Sequence, residues 1–318
     1  MAMPRMPVFL RLLSIALAGG IACSSATTTA PPVDGDGNGD GDGGDRTIDG
    51  DGGVMRSPSE GGQAADAGPA TIPRSGGQGG LACTRSDDLG GGRMSCVAKI
   101  GSVELKVLLP KAAGGSVPLR LGIYLHGDGA AAHKSNGVLK AMLQWADAQS
   151  GLAVSALAPN GCAWWLTPIH DCAGNATDAD IAGDNAKALV IALEALMKAF
   201  DLRTDGVRYY GSSGGSIFLT NEWLPLQAGT YPGVFALMCG GETSTRTYAW
   251  DTNDAKLRAK NPLWFTYGDQ DFLAPDITSA ITSYKAKSFM VTEKVIAGAT
   301  HCAFDAHGEA MSIWSANP

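Results

Sequence analysis

Lys and Arg never cluster in residues 81–318 of this 318-residue chain, so the electrostatic footprint of a nucleic-acid or anionic-lipid binder is missing. No C-x-x-C pair and no paired-histidine spacing accompanies the cysteines, which leaves a structural zinc site without its ligand pattern, and nothing calls for a cofactor. No internal repeat is evident, which argues against a solenoid or propeller. Residues 24–80 contain no Phe, Trp or Tyr and are dominated by Gly, Asp, Ser, Thr, Ala and Pro. A segment of that composition cannot bury a core. The apolar run Leu12 to Ala18 is too short to span a bilayer.

What is present divides the chain in three. Arg5 and Arg11 stand ahead of the apolar run and small residues lead to Cys23, so residues 1–22 read as a secretory signal. Leu17 to Cys23 resembles a bacterial lipoprotein box, with Gly20 where an aliphatic residue is usual. Lipidation at Cys23 is therefore expected, with an ordinary cleaved signal as the alternative. Membrane contact would then run only through the lipid, at the cell envelope or surface after passage across the inner membrane. Residues 23–80 read as a solvated tether. Its Asp34 to Asp42 run alternates carboxylates like a calcium loop, but it lacks a spaced bidentate Glu and helical flanks.

Cysteine usage fits an oxidising compartment. Setting Cys23 aside leaves Cys83, Cys96, Cys162, Cys172, Cys239 and Cys302. The short separations favour Cys83 with Cys96 and Cys162 with Cys172, leaving Cys239 for Cys302; buried free thiols are the alternative. The formal charge of −7 is carried mostly by the tether, where nine acids face three bases. Residues 81–318 are only mildly acidic and long enough for one large core.

Within that part, strand-like runs at 103–109, 119–125, 153–158, 207–210, 234–238, 263–267 and 290–296 alternate with helical ones. The clearest helix is expected over 180–200, where Leu189, Leu193, Leu196, Met197 and Phe200 share a face. The alternation predicts an α/β fold, a mostly parallel sheet covered by helices on both faces. Gly211-Ser212-Ser213-Gly214-Gly215 fits G-x-S-x-G between a strand and a helix, which makes Ser213 a candidate nucleophile; the bland alternative is a serine that merely caps the helix. Asp271 follows one later strand and His301 another, so the order is serine, acid, histidine. Asp269 is the rival acid and His307 the rival base. At Leu125-His126-Gly127-Asp128-Gly129 a strand runs into a glycine-rich turn, whose Gly127 or Asp128 amide, with that of Gly214, would hold a developing oxyanion. His126 reads as a loop fastener. Trp164 and Trp165, at another strand end, are candidates for substrate contact or for packing.

These residues together resemble the secreted α/β-hydrolase esterases grouped as polyhydroxybutyrate depolymerases, feruloyl esterases and acetylxylan esterases. The likeness covers roughly residues 100 to 305. It rests on Leu125-His126-Gly127, Ala158-Pro159-Asn160-Gly161 with Cys162 and Trp164, Asp178 to Ile181, Gly211 to Gly215, and Tyr231 to Phe235. The resemblance implies a triad of Ser213, Asp271 and His301 acting on an ester, with a polyester or a plant cell-wall polysaccharide as possible partner. Members often carry Trp-Pro soon after the histidine, whereas this chain has Cys302-Ala303-Phe304. A serine peptidase on the same fold, or a non-catalytic surface-binding lipoprotein, are the competing readings.

Overall fold

The computed structural model describes residues 74–78, 80–111, 117–169 and 178–317. The expected signal, Cys23, the Asp34 to Asp42 run and Cys172 lie outside the described residues. Among the described residues no helix is long and apolar enough to cross a membrane.

Among the described residues nine strands form one sheet: β1 (Arg85–Gly90), β2 (Arg93–Ile100), β3 (Val103–Leu108), β4 (Arg120–Leu125), β5 (Gly151–Leu157), β6 (Val207–Ser212), β7 (Gly233–Met238), β8 (Leu263–Gly268) and β9 (Val291–Ile296). Their spatial order is β1-β2-β3-β5-β4-β6-β7-β8-β9. From β5 to β9 all neighbours are parallel, and β1, β2 and β3 extend one edge in antiparallel fashion. Helices α1 (Ala131–Lys134), α2 (Gly137–Gln149), α3 (Asp184–Ala199), α4 (Gly214–Phe218), α5 (Leu224–Gln227), α6 (Ala255–Ala259), α7 (Ala274–Ala286) and α8 (Ala306–Ala316) connect them, with a π-turn at Leu219–Trp223 between α4 and α5. This is the α/β-hydrolase fold expected from the sequence.

Alternation along the central strands builds a core on each face, because successive side chains of a strand point to opposite sides. In β4, Ile123 and Leu125 join Leu189, Leu193 and Leu196 of α3 and Ile277 and Ile281 of α7. Tyr124 turns the other way, to Leu139, Met142 and Trp145 of α2 and Ile313 and Trp314 of α8. The strands at the centre are buried on both faces, hence their nearly continuous apolar runs.

All seven strand-like runs become strands. The β1–β2 hairpin was not signalled: Arg85 to Gly90 is largely exposed and polar, so it carries no hydrophobic period. The Cys83–Cys96 disulfide staples this hairpin. The chain is already joined to the fold ahead of residue 81, since Ser75 N–H donates to Leu202 O at 2.8 Å and Gly80 N–H to Ala199 O at 2.7 Å.

The long helix starts at Asp184 rather than Asp180, after Gly183 at φ 71°. Asp180 stays outside and caps it, its Oδ2 accepting from Asn185 N–H at 2.6 Å. Glu222, from the π-turn, accepts from Ala186 N–H at 2.8 Å. Two carboxyl groups thus serve the helix N-terminus, where unpaired amides and the dipole favour negative charge. Glu222 is nonetheless buried, and burial, with the neighbouring charge of Asp180, pushes its carboxyl up to about 8. An unfolded Glu titrates near ~4.3, so the folded protein holds the proton more tightly. The stability this confers is complete below that unfolded value and is lost as pH rises through about 8. Glu222→Gln keeps an acceptor for Ala186 without the charge. Calorimetry at about pH 9 should find it melting a few degrees above wild type; a lower melting temperature there would contradict the assignment.

Candidate active site

Ser213 sits directly after β6 with φ 50° and ψ −117°, a backbone geometry that non-glycine residues avoid. The motif glycines make room for it. A Cβ on Gly211 would stand 2.6 Å from the amide of Ser216, and one on Gly215 would collide with the carbonyl oxygen of Leu125. Side chains at either position would drive α4 away from β6 and β4. Although Ser213 occupies the N-cap position of α4, its side chain makes no capping bond.

The hydroxyl instead donates to His301 Nε2 at 2.9 Å. On the other side of the ring, His301 Nδ1–H donates to Asp271 Oδ1 at 2.9 Å. A carboxylate only accepts, so Asp271 selects the tautomer that leaves Nε2 free to take the serine proton. Asp271 is 4% exposed and is held by the Leu273 amide at 2.9 Å. The structure therefore brings Ser213, His301 and Asp271 into one hydrogen-bonded line from three separate strand ends. In chemical terms such a line can activate a serine for attack on a carbonyl.

The rivals lie elsewhere. Ser216 is buried and donates to Met238 O at 3.1 Å, and Ser212 Oγ faces the sulfurs of Cys239 and Cys302. Asp269 accepts from Gly298 N–H at 2.7 Å and so shapes the turn before His301 without touching the ring. His307 lies within α8, 2.8 Å from the Tyr210 hydroxyl. His126 is fully buried, donating from Nδ1 to Gly127 O at 2.8 Å and accepting from Ala158 N–H at 3.0 Å. Burial holds its imidazole neutral, pushed down to about 4.

On the Gly127–Gly129 turn, the Gly129 amide is occupied by Cys162 O at 3.0 Å, and a Cβ on Gly127 would stand 3.1 Å from that of Ser213, so the turn lies against the nucleophile. Gly214 opens α4, where amides lack intrahelical acceptors. The two tryptophans part company. Trp164 is 0% exposed and packs against Phe218 and His126 with ring centroids 5.2 and 6.1 Å away. The expectation that it touches substrate is corrected: it is a core residue beneath the loop. Trp165 is half-buried and lies beside Gly214. Behind it opens a cavity of about 370 Å³ that Phe218, Asn221, Glu222 and Arg246 also line. Phe272, 72% exposed, covers the His301 ring at a centroid distance of 4.5 Å. Sequence reasoning missed it, although its place directly after Asp271 was a usable signal.

No protein-family model matches the chain, and no curated protein does. Among solved structures it is similar to a thermostable esterase, with 14% identity and a TM-score of 0.48 over 70% of this chain and 59% of that one. An esterase from Pyrobaculum calidifontis aligns at 12% identity and TM-score 0.48, over 74% of this chain and 86% of that one. An S-formylglutathione hydrolase from Staphylococcus aureus aligns at 13% and 0.47, over 74% and 98%. This chain thus spans less than two thirds of the length of the thermostable esterase. Likeness at this level adds nothing to the strand order and the site geometry already described.

Cys239, immediately after β7, is bonded to Cys302, immediately after His301. With His301 these two form a cluster of metal-ligand spacing among the described residues, but sulfurs joined to each other offer no thiolate. Cys162 is also in a disulfide; its expected partner Cys172 lies outside the described residues. The Cys239–Cys302 bond ties the histidine loop to the strand beside the nucleophile. Replacing both cysteines by serine should therefore cost stability, about 2–5 kcal/mol. It should also lower the rate at which a fluorophosphonate labels Ser213 under conditions where the variant is still folded. Labelling at the wild-type rate in a folded variant would show that the bond does not position His301.

Proposed function

We propose that the chain is a serine esterase that hydrolyses carboxylic esters through an acyl-enzyme on Ser213. The observation that carries this reading is the unbroken line from Ser213 Oγ to His301 Nε2 and from His301 Nδ1 to Asp271 Oδ1, each step 2.9 Å, ending on a strained, half-exposed serine. His301 takes the serine proton as Oγ attacks the ester carbonyl, and the Gly214 amide with that of Gly127 or Asp128 receives the negative oxygen. The resulting imidazolium is stabilised by the buried Asp271 carboxylate and gives its proton to the departing alcohol. Water then enters, His301 removes its proton, and the acid leaves as Ser213 is restored.

The substrate types implied by the resemblance are polyhydroxyalkanoate, feruloyl and acetyl-carbohydrate esters. Trp165 and the cavity behind it would receive one side of the substrate. Export from the cytoplasm with a lipid on Cys23 is part of the same proposal, and the disulfides at Cys83–Cys96 and Cys239–Cys302 fit it.

The full chain, assayed on nitrophenyl esters, feruloyl and acetylated sugars, a hydroxybutyrate oligomer and a peptide, should cleave at least one ester. Ser213→Ala should lower kcat by ~10⁴-fold or more; undiminished turnover would remove Ser213 from the mechanism. Cleavage of the peptide alone would move the assignment to a peptidase, and inertness towards every substrate would favour a binding module. His301→Ala should be as damaging as Ser213→Ala, whereas His307→Ala should retain turnover, because His307 is engaged with Tyr210 rather than Ser213. The reverse pattern would identify His307 as the base.

A further inference from the structure

Asp128 places a carboxylate where the chemistry has no evident need of one. Its exposed side chain leaves the turn after β4 and both its oxygens accept from the Trp165 indole N–H, at 3.0 and 3.1 Å. Oδ1 also rests against Gly214, so closely that a Cβ there would collide with it. The carboxylate therefore stands beside a residue whose amide is proposed to receive the oxyanion, and it feels the imidazole of His301. Partial withdrawal from water raises its carboxyl above the ordinary range, while the Trp165 bond and His301 act in the opposite direction.

Among the described residues no Lys or Arg neutralises it. The ammonium of Lys134, on the adjoining α1, is bound to Gly129 O at 3.0 Å. The indole bond does not require the charge, since an amide oxygen in the same place would accept it equally well. Near a developing oxyanion a fixed negative charge is also unfavourable. What aspartate adds over asparagine at this position is a charge beside Gly214 and Trp165, within electrostatic reach of His301.

We propose that Asp128 selects substrates by charge: the mouth formed by Asp128, Trp165 and Ser213 accepts esters that are neutral or cationic beside the scissile bond and rejects those carrying a carboxylate or sulfonate there. This inference rests on the esterase reading given above. A like charge within a few ångströms of an unpaired carboxylate in a partly dry cleft is repelled, and an opposite one is drawn in.

The test uses the full chain at about pH 8 and low salt, with nitrophenyl esters of matched size. In one pair the acyl chain ends in trimethylammonium or sulfonate; in a second pair the charge is on the alcohol; a tert-butyl analogue is the neutral reference. In at least one pair the wild type should favour cation over anion by about 30-fold in kcat/KM. Asp128→Asn should bring that ratio close to one, the ratio being read within each variant so that any change in overall rate cancels. Adding salt to the wild type should compress the ratio, because a partly exposed charge is screened, and this measurement stands even where the variant fails to fold.

A wild-type ratio near one in both pairs, a ratio unmoved by salt, or one that persists in a folded Asp128→Asn would overturn the inference. In the first of these cases hydrolysis of the neutral ester, lost in Ser213→Ala, leaves the esterase reading standing. No hydrolysis of the neutral ester or of any other ester tested would overturn both.

Discussion

The forced backbone at Ser213 is the constraint on which the rest of the site depends. A non-glycine residue at φ 50° and ψ −117° costs on the order of 1–3 kcal/mol and persists only where its surroundings over-determine it. Here they do. The Ser213 amide donates to Met238 O at 2.9 Å and the Cys239 amide to Thr266 O at 2.8 Å, which fastens the turn to β7 and β7 to β8. Gly211 and Gly215 let α4 close onto β6 and β4, and the Ser216 hydroxyl adds a bond to the same Met238 carbonyl. The strain is carried by the sheet, and its product is a hydroxyl lifted clear of the strand.

A hydroxyl so placed is of use only where an imidazole is fixed at the right distance, and two other loops supply that. The acid loop and the histidine loop are joined to each other before either reaches the serine. Asp269 binds the Gly298 amide at 2.7 Å and the Gln270 amide donates to Ala299 O at 3.0 Å. The Cys239–Cys302 bond then anchors the histidine end to β7. Asp271 is buried, and its Oδ2 has no hydrogen-bond partner among the described residues, so the carboxylate is held through Oδ1 by the His301 ring and the Leu273 amide. Removing one partner of such a pair leaves the other's burial uncompensated, which makes the acid and the base depend on each other energetically.

A second serine, histidine and carboxylate lie close together in the molecule and show what residue types alone do not make. His133 Nδ1 is 2.8 Å from Ser155 Oγ, and its Nε2 is 3.4 Å from Glu104 Oε1. Ser155 and His133 are sealed from solvent, and Ser155 is an ordinary residue of β5 opposite Lys106 of β3. Burial and the nearby Lys106 charge push His133 down to about 4, so it stays neutral and serves as a polar joint between α1, β3 and β5. What separates the two sets is position: Ser213, Asp271 and His301 stand beyond the carboxyl ends of parallel strands, where loops leave room for a ligand.

Much of this is legible in the amino-acid sequence alone. Period and turn residues located seven of the nine strands, and G-x-S-x-G with a later acid and histidine located the three residues of the hydrogen-bonded line. What failed did so for want of a local signal. The β1–β2 hairpin is polar and exposed, the start of α3 was displaced because Asp180 caps rather than extends it, and Trp164 carries the same letter as Trp165 although one is core and the other faces the cleft. The sequence by itself determined the local backbone habits, the compositional divide near residue 80 and the candidates at each strand end. Only the tertiary structure decided that Asp271 rather than Asp269 meets His301, that His307 belongs to Tyr210, and that the Asp128 carboxylate lies against Gly214 and Trp165. Those are contacts between residues 29 to 97 positions apart, and sheet order and core packing set them, because no turn preference or periodicity acts over such separations.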